Sequence, residues 1–262
     1  WGGPDDIFRS TDGGKTWNAQ ETDTWEWVIS IFFISKNIGW AVGEAGLMLH
    51  TTDGGQHWQP QSKVVEASLE GVFFLDEKVG WVIGEKGIIF KTVDGGQKWR
   101  LQISPVFTGL TDVLFLDQSH GWITGVGGAL LATEDGGARW RAVPVGTKAI
   151  LNRIIFPEAK KGRTDLGYIV GGSGTILYTE DSGLHWQPRR GPTSLGLWDI
   201  FKQGSELWAV GDLGIVLYSP DEGKHWETME SGVVQRLTGI FFTAPNQGWS
   251  IGKGGLILKF IP

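Results

Sequence analysis

The sequence predicts an all-β fold, one β-propeller domain over residues 1–262, and three observations predict it. An octet of the form Ser/Thr-x-Asp-x-Gly-x-x-Trp occurs six times, with aspartates at Asp12, Asp53, Asp94, Asp135, Asp181 and Asp221, at steps of 41, 41, 41, 46 and 40 residues. Between octets the same three apolar runs return in the same order. Each run is bounded by Gly, Asp, Asn or Pro, the punctuation of short strands rather than of helices. A period near 40 residues with four short strands per period describes a propeller blade.

Each element of the repeat has a physical reason. Strand A (SIFFIS, GVFFLD, DVLFLD, RIIFPE, DIFKQG, GIFFTA) and strand B (GWAVGE, GWVIGE, GWITGV, GYIVGG, LWAVGD, GWSIGK) are rich in β-branched and aromatic residues, which suit a buried pleated surface. Strand C (GLMLHT, GIIFKT, GALLAT, GTILYT, GIVLYS, GLILKF) leads into the octet. The octet's glycines supply the positive φ of a turn, its Asp and its Ser or Thr accept backbone N–H groups across that turn, and its Trp opens strand D with an indole N–H to place on a carbonyl. The six aspartates are therefore expected to be structural.

The chain opens on a C–D pair, continues through five A–B–C–D units and ends on A–B–C at Phe260. The run WNAQET from Trp17 is expected to supply the missing last D strand, joining the termini and removing open edges. That closure gives six countable blades and leaves DIFRS as an extra C strand.

Composition narrows the functional classes. A net charge of -6 and no basic stripe argue against nucleic acid as a partner. With no cysteine, disulfides and thiolate metal sites are excluded. No apolar run is long enough to cross a bilayer as a helix. His50, His57, His120, His185 and His225 show no ligand spacing, and no cofactor or metal is expected.

The octet resembles the Asp-box, or BNR, repeat of sialidases, sortilin-type receptors and several glycoside hydrolases. With the GW-x-V-G and G-x-I-L-x-T elements added, the whole chain resembles the photosystem II stability and assembly factor-like propellers of chloroplasts and bacteria. The resemblance implies seven blades, with D–A–B strands ahead of Trp1 completing a blade around DIFRS. It also implies a monomeric, non-enzymatic scaffold that binds another protein, such as a membrane-protein subunit during assembly, in the periplasm or thylakoid lumen.

In a propeller the A–B and C–D turns share one end of the blades, and the B–C and D–A loops share the other. The D–A loops vary most between units, so partner binding is expected there. In strand A, the residue before the apolar triplet is Ser30, Gly71, Asp112, Arg153, Asp199 or Gly239. Asp112, Arg153 and Asp199, with Trp198 from the preceding column, form a candidate polar site at the channel mouth. Lys148, Arg189, Arg190 and Arg236 form a candidate basic patch for a carboxylate, phosphate or acidic peptide, since arginine pairs such groups bidentately. In the fourth unit the A–B turn is lengthened and carries Lys160, Lys161 and Arg163, a candidate docking arm.

A sialidase would need an arginine triad, a tyrosine nucleophile and an FRIP-like segment, and the segment is missing. The alternative is a secreted Asp-box glycoside hydrolase using Asp112 and Asp199 across a cleft. D–A loops of about ten residues are short for flanking a polysaccharide groove, which favours the scaffold.

Overall fold

The computed structural model describes residues 7–20, 22–157, 165–244 and 247–260. The fold is all-β. A two-stranded sheet, β1 (Ile7–Arg9) and β2 (Asn18–Gln20), is followed by blade 1 with β3 (Val28–Phe33), β4 (Gly39–Gly43), β5 (Met48–Thr51) and β6 (Gln59–Pro60). Blade 2 holds β7 (Leu69–Phe74), β8 (Gly80–Gly84), β9 (Ile89–Thr92) and β10 (Arg100–Leu101). Blade 3 holds β11 (Leu110–Phe115), β12 (Gly121–Gly125), β13 (Leu130–Thr133) and β14 (Arg141–Ala142). Blade 4 holds β15 (Leu151–Ile155), β16 (Gly167–Gly171), β17 (Ile176–Thr179) and β18 (Gln187–Arg189). Blade 5 holds β19 (Leu197–Gln203), β20 (Glu206–Gly211), β21 (Val216–Ser219) and β22 (Glu227–Met229), and the three-stranded blade 6 holds β23 (Leu237–Ala244), β24 (Gln247–Gly252) and β25 (Leu256–Lys259).

The chain falls into two compact units, Trp1–Gly121 with Thr133–Arg141, and Trp122–Ala132 with Ala142–Pro262. In the first, β7 lies between β3 and β11; in the second, β19 lies between β15 and β23. Neighbouring blades thus meet through their first strands, the propeller arrangement the repeat predicts.

The expected pairing of the termini is corrected. Residues 18–20 pair with β1 in the register Ile7↔Gln20 and Arg9↔Asn18, as a local hairpin around the first octet. Among the described residues β25 pairs with β24 alone. The octet at Asp12 builds its own C–D hairpin like the others, so strand D is spent on the strand C beside it. The lengthened turn with Lys160, Lys161 and Arg163 lies outside the described residues.

The octets turn the chain through hydrogen bonds of their own side chains. In blade 1, Thr51 Oγ1 donates to Asp53 Oδ1 at 2.9 Å and accepts Gly55 N–H at 2.9 Å, while Asp53 Oδ1 accepts the N–H groups of Gln56 and His57 at 3.0 Å each. Gly54 and Gly55 sit at φ 77 and 80. Fifth and sixth octets depart from the glycine rule, because Ser182 (φ 59) and Glu222 (φ 60) take the first turn position in left-handed conformation. Gly54 N–H donates to Asn37 O, and Gly95, Gly136, Ser182 and Glu222 reach the A–B turns at Lys78, Ser119, Asp165 and Ser205 in the same way. C–D and A–B turns therefore share one end of each blade.

The octet Trp packs as expected, but its indole N–H is not uniformly satisfied. Trp186 donates to Gly183 O at 3.2 Å, whereas the indole nitrogens of Trp58, Trp99 and Trp226 are buried without a protein acceptor. Blade-to-blade packing is aromatic. Trp40 of β4 stacks on Phe74 of β7 with centroids 3.5 Å apart, and Trp99 meets the same phenyl ring edge-on at 5.9 Å. Trp81, Phe115 and Trp140 repeat the triplet, as do Trp122, Phe156 and Trp186. Such pairs contribute about 0.5–1.5 kcal/mol beyond area burial. Between blades 4 and 5 the first two members are replaced by Tyr168 and Lys202. The Lys202 side chain is 2% exposed and its ammonium lies 3.3 Å from Glu222 Oε1 and 2.6 Å from Gly204 O.

Candidate partner-binding site

Opposite the octets, each B–C turn is tied to the residue ahead of strand A: Glu85 N–H donates to Ser68 O, Gly172 to Ile150 O, Asp212 to Gly196 O and Lys253 to Arg236 O. These bonds place the B–C turns and the ends of the D–A loops together. Strand A then begins with a bulge, seen as register shifts at Leu151/Arg153, Leu197/Asp199 and Leu237/Gly239. A bulge re-aims one side chain out of the pleat. In β15 the bulged residue is Asn152, and in β19 it is Trp198.

Around Trp198 the second unit gathers four of the candidate residues. Arg153 Nε lies 3.3 Å from Asp199 Oδ1. Asp199 also accepts Ile200 N–H at 2.9 Å and Ile240 N–H at 2.8 Å, so one carboxylate ties β15, β19 and β23. The Arg236 guanidinium lies 4.3 Å above the Trp198 ring, and its Nε donates to Asp212 Oδ1 at 2.6 Å. Trp198 Nε1 donates to the same oxygen at 3.0 Å.

The remaining candidates are placed differently. Arg189 stands opposite Ile176 at the end of β18 and folds back so that its guanidinium lies 3.7 Å from the Tyr178 ring. With Pro144, Val145, Gly174 and Trp186 it lines a cavity of about 340 Å³. Arg190 and Lys148 are exposed on the D–A loops that follow blades 4 and 3. Asp112 is 8% exposed on β11, in the first unit. Asp212 was not among the residues singled out from sequence, although the acidic Glu44 and Glu85 at the same place in their own B–C turns were a visible signal.

The octet aspartates hold their charge through turn bonds. The Thr16 N–H and hydroxyl, with the Ser10 hydroxyl, bring the Asp12 carboxyl down to about 2. Burial opposes ionisation of Asp181, but the His185 N–H and imidazole outweigh it and the result is again about 2. The His57 imidazole and N–H lower Asp53, and the His225 imidazole and N–H lower Asp221. All six belong to turns. Among the described residues no group of three or more His, Cys, Asp or Glu is placed to hold a metal ion, and no helix is long and apolar enough to cross a membrane.

Repeated Asp-box hairpins on four-stranded blades, with arginines clustered at the opposite end, define an Asp-box propeller. The particular family follows from the sequence itself: the model described as "Photosynthesis system II assembly factor YCF48" matches residues 2–63, 99–188, 139–230 and 191–261, and the chain belongs to that family. A solved structure described as "YCF48 bound to D1 peptide" is similar at 22% identity and a TM-score of 0.59, over 92% of this chain and 95% of that one. YCF48 from Cyanidioschyzon merolae is similar at 22% identity and a TM-score of 0.52, over 90% of this chain and 96% of the other. The GH74 xyloglucanase from Xanthomonas campestris shares the fold at a TM-score of 0.75 and 13% identity, over 95% of this chain and 48% of the enzyme. No curated protein matches the sequence.

Proposed function

We propose that this chain is a non-enzymatic assembly scaffold that holds an acidic or carboxylate-bearing segment of a client protein at the B–C and D–A end of blades 4 to 6. The observation that carries the reading is the exposed Arg236 guanidinium laid on Trp198 at the end of a D–A loop, with Arg153 of β15 held to the neighbouring Asp199. Family membership supports it, as does the relative whose structure holds a D1 peptide. The client we propose is a membrane-protein subunit met during assembly, and the compartment is the periplasm or thylakoid lumen. The chain acts as a monomer in this reading. A glycosidase reading is less well supported: Asp199 is occupied by two backbone N–H groups and Arg153, which leaves it poorly placed to move a proton.

The test is binding of a short acidic peptide. Wild type is expected to bind it more weakly as salt rises, because exposed charges are screened over about 8–10 Å. Replacing Lys148 and Arg190, both exposed, by Glu is expected to weaken binding by about tenfold or more, since like-charge juxtaposition costs several kcal/mol. Undiminished binding by that variant overturns the reading. Hydrolysis of xyloglucan by wild type, abolished in Asp199→Asn, would establish the enzyme instead.

A further inference from the structure

We infer that Asp212 is a positioning residue that fixes Arg236 on Trp198 so that the terminal Nη edge of the guanidinium faces outward as a fork for one carboxylate. The inference rests on the carboxylate-binding reading above and deepens it. A guanidinium has two flat faces and several donor edges. Here one face lies on the Trp198 ring at 4.3 Å, and the Nε edge is spent on Asp212 Oδ1 at 2.6 Å. Trp198 Nε1 donates to the same oxygen at 3.0 Å, so ring and guanidinium are pinned by a single acceptor. Among the described residues, the Nη groups of Arg236 bond to no protein atom, and the side chain is 44% exposed. The Nη pair matches the spacing of carboxylate oxygens, and an arginine held in advance loses less entropy on binding.

The carboxylate of Asp212 is itself seated by the backbone. Its N–H donates to Gly196 O at 2.9 Å, and a Cβ on Gly196 would stand 2.6 Å from Asp212 Oδ2. Only the absence of a side chain at residue 196 leaves room for that oxygen. Blade 6 holds the other end, where Lys253 N–H donates to Arg236 O at 2.9 Å. The combination is written once in the repeat. Where Trp198 stands, other units have Ile29, Glu70, Thr111, Asn152 and Thr238; where Arg236 stands, they have Trp27, Ser68, Gly109, Ile150 and Gly196.

Positioning and plain charge attraction predict opposite signs. Removing the Asp212 charge makes this end of the blades more positive, so attraction alone would tighten anion binding. Loss of positioning weakens it.

The experiment is calorimetric titration with a short N-acetylated peptide bearing a free C-terminal carboxylate, against the same peptide amidated. Wild type is expected to prefer the free acid. Asp212→Ala and Gly196→Ala should each weaken acid binding by about tenfold, the loss of one charge-assisted hydrogen bond, although the second changes no charge. Asp212→Asn should restore most of it, since its amide oxygen can accept the same two donors. Arg236→Lys should fail despite keeping its charge. Acid binding by Asp212→Ala as tight as wild type, or tighter, overturns the proposal.

A second measurement needs no peptide: the Arg236 Nε–H resonance should exchange slowly in wild type and Asp212→Asn and be lost in Asp212→Ala. Fast exchange in wild type overturns the positioning role by itself. A wild type with slow exchange and no preference for acid over amide overturns the carboxylate reading and, with it, the fork.

Discussion

The smallest unit that decides this fold is a hydroxyl. Thr92 is fully buried at the end of β9, where its Oγ1 accepts Gly96 N–H at 2.9 Å and donates to Asp94 Oδ1 at 2.9 Å. Thr92→Val keeps the shape and removes both bonds, leaving a buried amide without a partner. Such an orphan costs about 1–3 kcal/mol, and the loss should appear as a lower urea midpoint with unchanged slope. A midpoint equal to wild type would mean that the octet does not depend on this hydroxyl. The octet was readable from sequence because the bonds of its Thr and Asp side chains lie within five residues. Asp212 was not readable in that way. Its partners, Trp198 and Arg236, come from 14 and 24 residues away, and only the bulge of β19 and the turn bond to Gly196 bring them to it.

Strands and turns were legible in type and order, because apolar runs and octet punctuation recur with little variation. Pairing at the ends was not. Pairing β2 with β25 would need a long-range contact, whereas β1 stands one octet away, and closing a short loop costs less chain entropy. Left-handed turn residues were also misjudged, since Ser182 and Glu222 hold a backbone conformation that costs side-chain-bearing residues about 1–2 kcal/mol. Part of that cost is offset because glycine is freer in the unfolded chain. Ser182→Gly and Glu222→Gly should therefore each raise stability modestly, by about 0.5–1 kcal/mol, read as a higher thermal midpoint. Gly54→Ala should lower it, as residue 54 has φ 77. Equal midpoints for all three would show that turn conformation does not limit these hairpins.

At the scale of the molecule, the octets act together as a set of low-pKa carboxylates. All six, at Asp12, Asp53, Asp94, Asp135, Asp181 and Asp221, titrate below the ordinary value of 3.8. Ionisation is favoured more in the folded than in the unfolded state, so the stability it brings is complete above that value and lost as pH falls through the folded ones. The thermal midpoint, followed by tryptophan fluorescence, should fall as the pH drops from about 4 to about 2. A thermal midpoint unchanged across that interval would separate the turns from their charges. The aromatic triplets carry a different consequence. Where Tyr168 and Lys202 replace Trp and Phe, the seam between blades 4 and 5 lacks the ring stack and carries, beside its aliphatic core, a buried ammonium and a phenol hydrogen bond, Tyr168 Oη to Glu222 O at 3.1 Å. In a repeat array, opening begins at the weakest neighbour contact. Amide hydrogen exchange should therefore be faster in Gly167–Gly171 than in Gly121–Gly125, whose Trp122 packs on Phe156 with tilted rings, and the pair Tyr168→Trp with Lys202→Phe should slow it. If the unaltered chain breathes at that seam, blades 5 and 6 carry Trp198, Asp212 and Arg236 as one body, and a client docked there would ride on a hinge.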